Sequence, residues 1–116
     1  MVRPLTAQPH LNSGLCETLA EIKRAIRAEI GGDFRLILYG SYARGEQTEE
    51  SDIDLMLVLP DEFTTTDVKS RLRDIIGDFC IETGYIFSLA IVSSSTFRER
   101  AGFMAIGSAQ REGLSV

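Results

Sequence analysis

Asp52 and Asp54 stand one residue apart at the head of an apolar run whose opposite parity is Ile53, Leu55, Leu57 and Leu59. In an extended strand alternate residues share a face, so the two carboxylates project together from Cα positions about 6.6 Å apart. Two ionised carboxylates converging at that range repel by up to ~2–3 kcal/mol at an effective dielectric near 20. A hard cation removes that repulsion, and Mg²⁺ suits the geometry because it takes one or two carboxylates and fills its shell with water and phosphate oxygens. Upstream, Gly40-Ser41 follows the apolar run Leu36-Ile37-Leu38-Tyr39, and ten residues separate Ser41 from Asp52. A glycine there lets the backbone approach a ligand closely, peptide N–H groups after Ser41 can face outward, and the Ser41 hydroxyl can donate to a phosphate oxygen. Arg44, one turn further on, adds a cation. Together these residues describe a site that grips a nucleoside triphosphate by its tail and a metal on its other side, as phosphoryl or nucleotidyl transfer requires.

Each part also has a plain structural reading. A Gly-Ser turn can simply join a strand to a helix, Ser51-Asp52 can be an N-cap or Asx-turn, and Arg44 can pair with Glu46 or Glu49. Glu46, Glu49 and Glu50 read as solvent-facing loop carboxylates.

The elements that must position these residues follow from periodicity. Residues 1–13, with Pro4, Pro9, Asn12 and Ser13, show no sustained period and read as a flexible tail before a single domain over 14–116. Leu15, Leu19, Ile22, Ile26 and Ile30 recur at helical spacing, with Ser13 as the expected N-cap and Gly31-Gly32 as the stop. Strands are expected over 34–39 and 52–59, the latter stopped by Pro60, with a brief helical turn at 42–45 between them. A helix capped by Thr65 or Thr66 runs to about Glu82 with Val68, Leu72, Ile75, Ile76 and Phe79 inward. Tyr85–Val92 reads as a third strand, 96–109 as a last helix capped by Ser93-Ser94-Ser95, and 111–116 as irregular. The order implies an α/β (α+β) fold, a small mixed sheet with helices packed mainly on one face.

Composition narrows the function. A chain of 116 residues has room for one such domain and no second lobe to hold an acceptor. Its 12 basic and 17 acidic residues give a net charge of −5 and no basic patch, so direct nucleic-acid binding is disfavoured. Cys16 and Cys80 lie on apolar helical faces, where free thiols are expected, and His10, the only histidine, lies in a polar stretch. Without an N-terminal h-region or an apolar run near 18 residues, a cytoplasmic setting and no membrane association are expected.

The run Gly40-Ser41-Tyr42-Ala43-Arg44-Gly45, ten residues from Ser41 to the first acid, and then Ser51-Asp52-Ile53-Asp54-Leu55 resembles the nucleotidyltransferase superfamily related to DNA polymerase beta. It resembles above all the minimal nucleotidyltransferases (MNT), over residues 36–59 and on to the closing Arg111-Glu112-Gly113-Leu114. The resemblance implies the nucleotidyltransferase fold, Asp52 and Asp54 as catalytic metal ligands, Gly40, Ser41 and Arg44 on the nucleotide, and Mg²⁺ and ATP as cofactor and donor. It also implies an antitoxin: MNT proteins are commonly paired with HEPN-domain toxins, which they neutralise by adenylylating a tyrosine. Homo- or hetero-oligomers are both compatible with it.

One departure stands out. The superfamily generally supplies a third carboxylate from a later strand, expected here near Ile86 or Ser88, and this sequence has none there; Glu82 and Glu99 flank the strand at a distance. General-base help is worth about 10²–10⁴ in rate, so its absence predicts slow turnover, a base donated by the partner, or an acceptor needing little help, such as a phenol. Three functions compete: AMP transfer to a partner protein, a nucleotide-binding module that neutralises a partner by occlusion, and nucleotidylation of a small hydroxyl compound. The absence of Walker-type and protein-kinase motifs disfavours a kinase.

Overall fold

The alternation through residues 53–59 builds the centre of the molecule. In the computed structural model, which describes residues 2–5, 8, 10–100 and 103–116, Ile53–Leu59 forms a strand, β3, with every residue buried except Asp54. Its partners complete a five-stranded mixed sheet of order β1-β5-β2-β3-β4, from Arg3–Pro4 (β1), Arg35–Tyr39 (β2), Phe87–Ser93 (β4) and Leu114–Ser115 (β5). β2 and β3 are antiparallel, with Tyr39 opposite Asp54, and β4 runs parallel to β3 with Ser88 opposite Asp54. The parallel pair needs a crossover, which Thr66–Thr83 (α3) supplies.

The two faces of the sheet are filled differently. Ile53, Leu55, Leu57 and Leu59 join Leu36 and Leu38 beneath Ser13–Ile30 (α1) and α3, which contribute Leu15, Leu19, Ile22, Ile26, Leu72 and Ile76. On the other face Ile37, Met56 and Val58 meet Phe97 of Ser94–Glu99 (α4) and Ile106 and Ala109 of Met104–Glu112 (α5). The two long helices thus share one face and two short ones cover part of the other.

Four expectations change. The segment 1–13 is not a loose tail in its described residues: β1 pairs in parallel with β5, Leu11 is buried, and the side chain of Asn12, not Ser13, caps α1 through the Leu15 N–H at 2.7 Å. A two-residue strand has no period to read, which is why the segment looked unstructured. In place of the one helix expected over 96–109 there are two, Ser94–Glu99 and Met104–Glu112, and the expectation over residues 101 and 102 falls outside the described residues. The stretch 111–116 is ordered: α5 continues to Glu112 and β5 pairs antiparallel with β2. Of the apolar residues on that helix, Ile106 is core, whereas Phe103 and Met104 are exposed. Cys16 and Cys80 are free and half-buried, and among the described residues no helix is long and apolar enough to cross a membrane.

Candidate active site

The site lies where β2 ends and β3 and β4 begin. β2 delivers Gly40 in the left-handed region (φ +77°), and the chain enters the single turn Ser41–Arg44 (α2), closed by Gly45 at φ +74°. A Cβ added to Gly40 would run into the carboxylate of Asp54, so the glycine is demanded both by its backbone angle and by the acid beside it. That contact joins the two halves of the sequence pattern. Asp52 reaches the same place through a loop that binds itself: Ser51 Oγ accepts from the Thr48 N–H at 2.9 Å, Thr48 Oγ1 from the Glu50 N–H at 3.3 Å, and the Ser51 N–H donates to the Thr48 carbonyl at 3.1 Å.

Electrostatics ties the two acids together. Burial pushes the Asp54 carboxyl up from its ordinary value, the charge of Asp52 pushes it further, and Arg44 opposes both. A carboxylate so destabilised, next to a second and exposed one, is a donor pair short of positive charge, which fits Mg²⁺ with its remaining ligands from water and phosphate. Among the described residues no group of three or more His, Cys, Asp or Glu gathers as a ready-made metal cage, so such an ion would need oxygens from elsewhere. Tyr39, across the ladder from Asp54, is also raised, by burial first and by the Asp54 charge second.

The backbone cradle is smaller than expected. The N–H groups of Ala43 and Arg44 turn back to the Gly40 carbonyl at 3.1 and 3.2 Å, so they are committed within the turn and not offered to a ligand. Arg44 is near enough to act on Asp54, yet its Nε donates to Glu46 at 2.8 Å and its Nη1 to Glu112 at 3.0 Å. The pairing with Glu46 was open in the sequence; Glu112 was not anticipated. Glu49 and Glu50 are exposed, as expected. From behind, His10 Nε2 bonds the Tyr42 carbonyl at 2.8 Å and Gln47 Nε2 donates to the His10 carbonyl at 3.2 Å, so the polar stretch around the lone histidine braces the turn.

The place beside Asp54 on β4 is held by Ser88, exposed and on the same face. Glu82 cannot replace an acid there, because α3 packs on the opposite face. Glu99 ends α4, which follows the far end of β4.

Residues 19–104 match the family model for the nucleotidyltransferase domain. The chain belongs to that family. As a nucleotidyltransferase it has relatives in Methanocaldococcus jannaschii named "Putative protein adenylyltransferase". One is 28% identical over 85 residues, which is 72% of this chain and 79% of that protein. Another is 36% identical over 73 residues, 55% of this chain and 85% of that protein. Among solved structures, a "putative nucleotidyltransferase" from Sulfolobus solfataricus superposes with a TM-score of 0.55 at 16% identity, covering 85% of this chain and 76% of that one. A second with the same description gives 0.53 at 22% identity, covering 84% and 96%. At such identities these two structures speak for the fold, and they agree with the mixed sheet and its helices. Nucleotidyltransferases generally use a nucleoside triphosphate and a divalent metal.

Proposed function

We propose that this nucleotidyltransferase moves AMP from ATP to a hydroxyl of a partner protein, with a tyrosine as the acceptor. In this reading Asp52 and Asp54 are the catalytic metal ligands, holding Mg²⁺, and Gly40, Ser41 and Arg44 hold the triphosphate. The observation that carries it is the abutment of Gly40 on Asp54, which brings a phosphate-holding turn and a cation-seeking acid within one side chain of each other. Bound Mg²⁺ would neutralise charge on the phosphate oxygens. Ser41 and Arg44 would orient the triphosphate tail so that the bond to the leaving group lies in line with the acceptor. The acceptor oxygen bonds to the α-phosphorus, the bond to the bridging oxygen breaks, pyrophosphate leaves, and the hydroxyl proton goes to solvent.

Ser88 supports the choice of a phenol. A neutral residue at the position beside Asp54 offers no strong base, and a phenol with a pKa near 10 needs less assistance than an aliphatic alcohol. The names of the relatives support a protein acceptor, and the resemblance to MNT antitoxins supports a HEPN-domain toxin as that protein, in the cytoplasm where ATP and Mg²⁺ abound. The same Ser88 favours a second reading, in which the protein binds nucleotide and neutralises its partner by occlusion without transfer.

Incubating the protein with α-labelled ATP, Mg²⁺ and the product of the neighbouring gene separates the readings. Label on a partner tyrosine that vanishes with Asp54→Asn supports transfer. A stable complex that never takes up label supports occlusion and sinks the transfer reading.

A further inference from the structure

The closing Arg111-Glu112-Gly113-Leu114 has no part in the site as built so far, yet the sheet carries it there. β5 pairs with β2 at Leu38↔Leu114 and Ile37↔Ser115, antiparallel. Glu112, the last residue of α5, lies two residues before that pairing, and its carboxylate accepts from Arg44 Nη1 at 3.0 Å, at the end of the phosphate-facing turn. Two features hold it in place. Leu114 is fully buried. Gly113 has an ordinary φ of −68°, but a Cβ there would collide with the Ala109 carbonyl and the Ile37 side chain, so only glycine lets the end of α5 lie this close to β2. Ser108, one turn earlier on α5, donates its hydroxyl to the same Glu112 oxygen that accepts from Arg44.

Arg44 is therefore held by two carboxylates, one local and one distant in sequence: Glu46 two residues on and Glu112 at a separation of 68 residues. A guanidinium is a planar fork of N–H donors, and fixing Nε and one terminal nitrogen fixes the direction of the others. We propose that Glu112 is a positioning residue that sets the Arg44 guanidinium for the triphosphate, making the C-terminal end of α5 one wall of the nucleotide site. This rests on the assignment of Arg44 to the triphosphate made above. Hydrogen bonding from Ser108 first, and Arg44 second, lowers the Glu112 pKa, so the residue keeps its charge across the working range. A carboxylate that merely competed with phosphate for Arg44 would act in the opposite sense, and the two are separable.

The test is titration of the full-length protein with ATP and Mg²⁺ by calorimetry, on wild type, Glu112→Ala, Glu112→Gln, Arg44→Ala and the double variant Arg44→Ala/Glu112→Ala. Glu112→Ala is expected to weaken binding about three- to tenfold, the range open to a partly exposed ion pair acting through a second group. Glu112→Gln, which still accepts from Arg44, recovers most of the loss, and Glu112→Ala has no further effect once Arg44 is gone. Wild-type affinity or tighter binding in Glu112→Ala overturns the proposal, as does a loss that adds fully to that of Arg44→Ala. If Glu112→Ala does not fold, Ser108→Ala takes its place in the same cycle: weaker binding that disappears without Arg44 supports the proposal, and unchanged or fully additive binding overturns it. Failure of the wild-type protein to bind ATP and Mg²⁺ would overturn the proposed function and this inference with it, whereas binding indifferent to residue 112 overturns the inference alone.

Discussion

The two faces of the sheet share strands and differ in purpose. Under α1 and α3 every inward position of β3 is aliphatic and closed: Ile53, Leu55, Leu57 and Leu59 are at most 1% exposed. On the other face the same strand begins with Asp54 and only then becomes apolar at Met56 and Val58, where α4 and α5 cover it. Tyr39 and Ser88 lie to either side of Asp54 in the ladder, so the uncovered end of that face is polar across three strands. One face is built to be stable; the other gives up packing at one end to hold a charge.

Breaking each face separately should therefore have opposite consequences. Asp54→Asn should lower transfer by at least about 10³-fold, since it removes one of the two acids that organise the site, and leave the protein folded. Leu55→Ala, one residue away on the closed face, should lose about 2–5 kcal/mol of stability in urea titration and keep its activity below its melting temperature. Loss of folding in Asp54→Asn, or of activity in folded Leu55→Ala, would mean that the faces are not independent.

A smaller break falls at the junction. Gly40→Ala forces a side chain into a left-handed backbone and against the Asp54 carboxylate. Displacing the turn by about 1 Å is expected to reduce transfer on the order of 10²-fold. Loss of transfer without loss of ATP binding would place the damage at Asp54; loss of both would place it in the turn itself.

How far this division could be read in advance depended on the range of the interactions. The parity of Ile53–Leu59 against Asp52 and Asp54, the glycine before Ser41 and the helical stripe from Leu15 to Ile26 are local patterns, and each forms the expected element. Strands β1 and β5 are two residues long and exist only through pairing with distant partners, so no local signal announces them. Glu112 was visible only as part of a closing motif without a role, because its link to Arg44 depends on the register of β5 on β2. Ser88 lay within the expected strand, and only the pairing with β3 distinguished it from Ile86 as the neighbour of Asp54.

Returning an acid to the polar end probes the same division from the other side. Ser88→Asp sets a carboxylate beside Asp54 on the same exposed face. An evolved general base is worth ~10²–10⁴, and an unrefined one should give about tenfold, seen with an aliphatic alcohol acceptor more than with a phenol. Equal gains with both acceptors would show that the new acid acts on the metal site and not on the acceptor proton.

The smallest effect concerns stability in the absence of Mg²⁺ and nucleotide. The folded-state pKa of Asp54 is raised by burial and by Asp52, so the ionised form is disfavoured in the fold relative to the unfolded chain. The resulting destabilisation is fully present above the raised pKa and is relieved as pH falls through it towards the ordinary carboxyl range. Asp54→Asn, neutral at every pH, should consequently melt slightly higher than wild type at pH 7 in a chelator, and the difference should close by about pH 4. A difference that persists unchanged in acid would trace the gain to packing by the amide and not to the charge. A lower melting temperature at pH 7 would show that Asp54 is held by favourable contacts, and that the open face bears no stability penalty for its function.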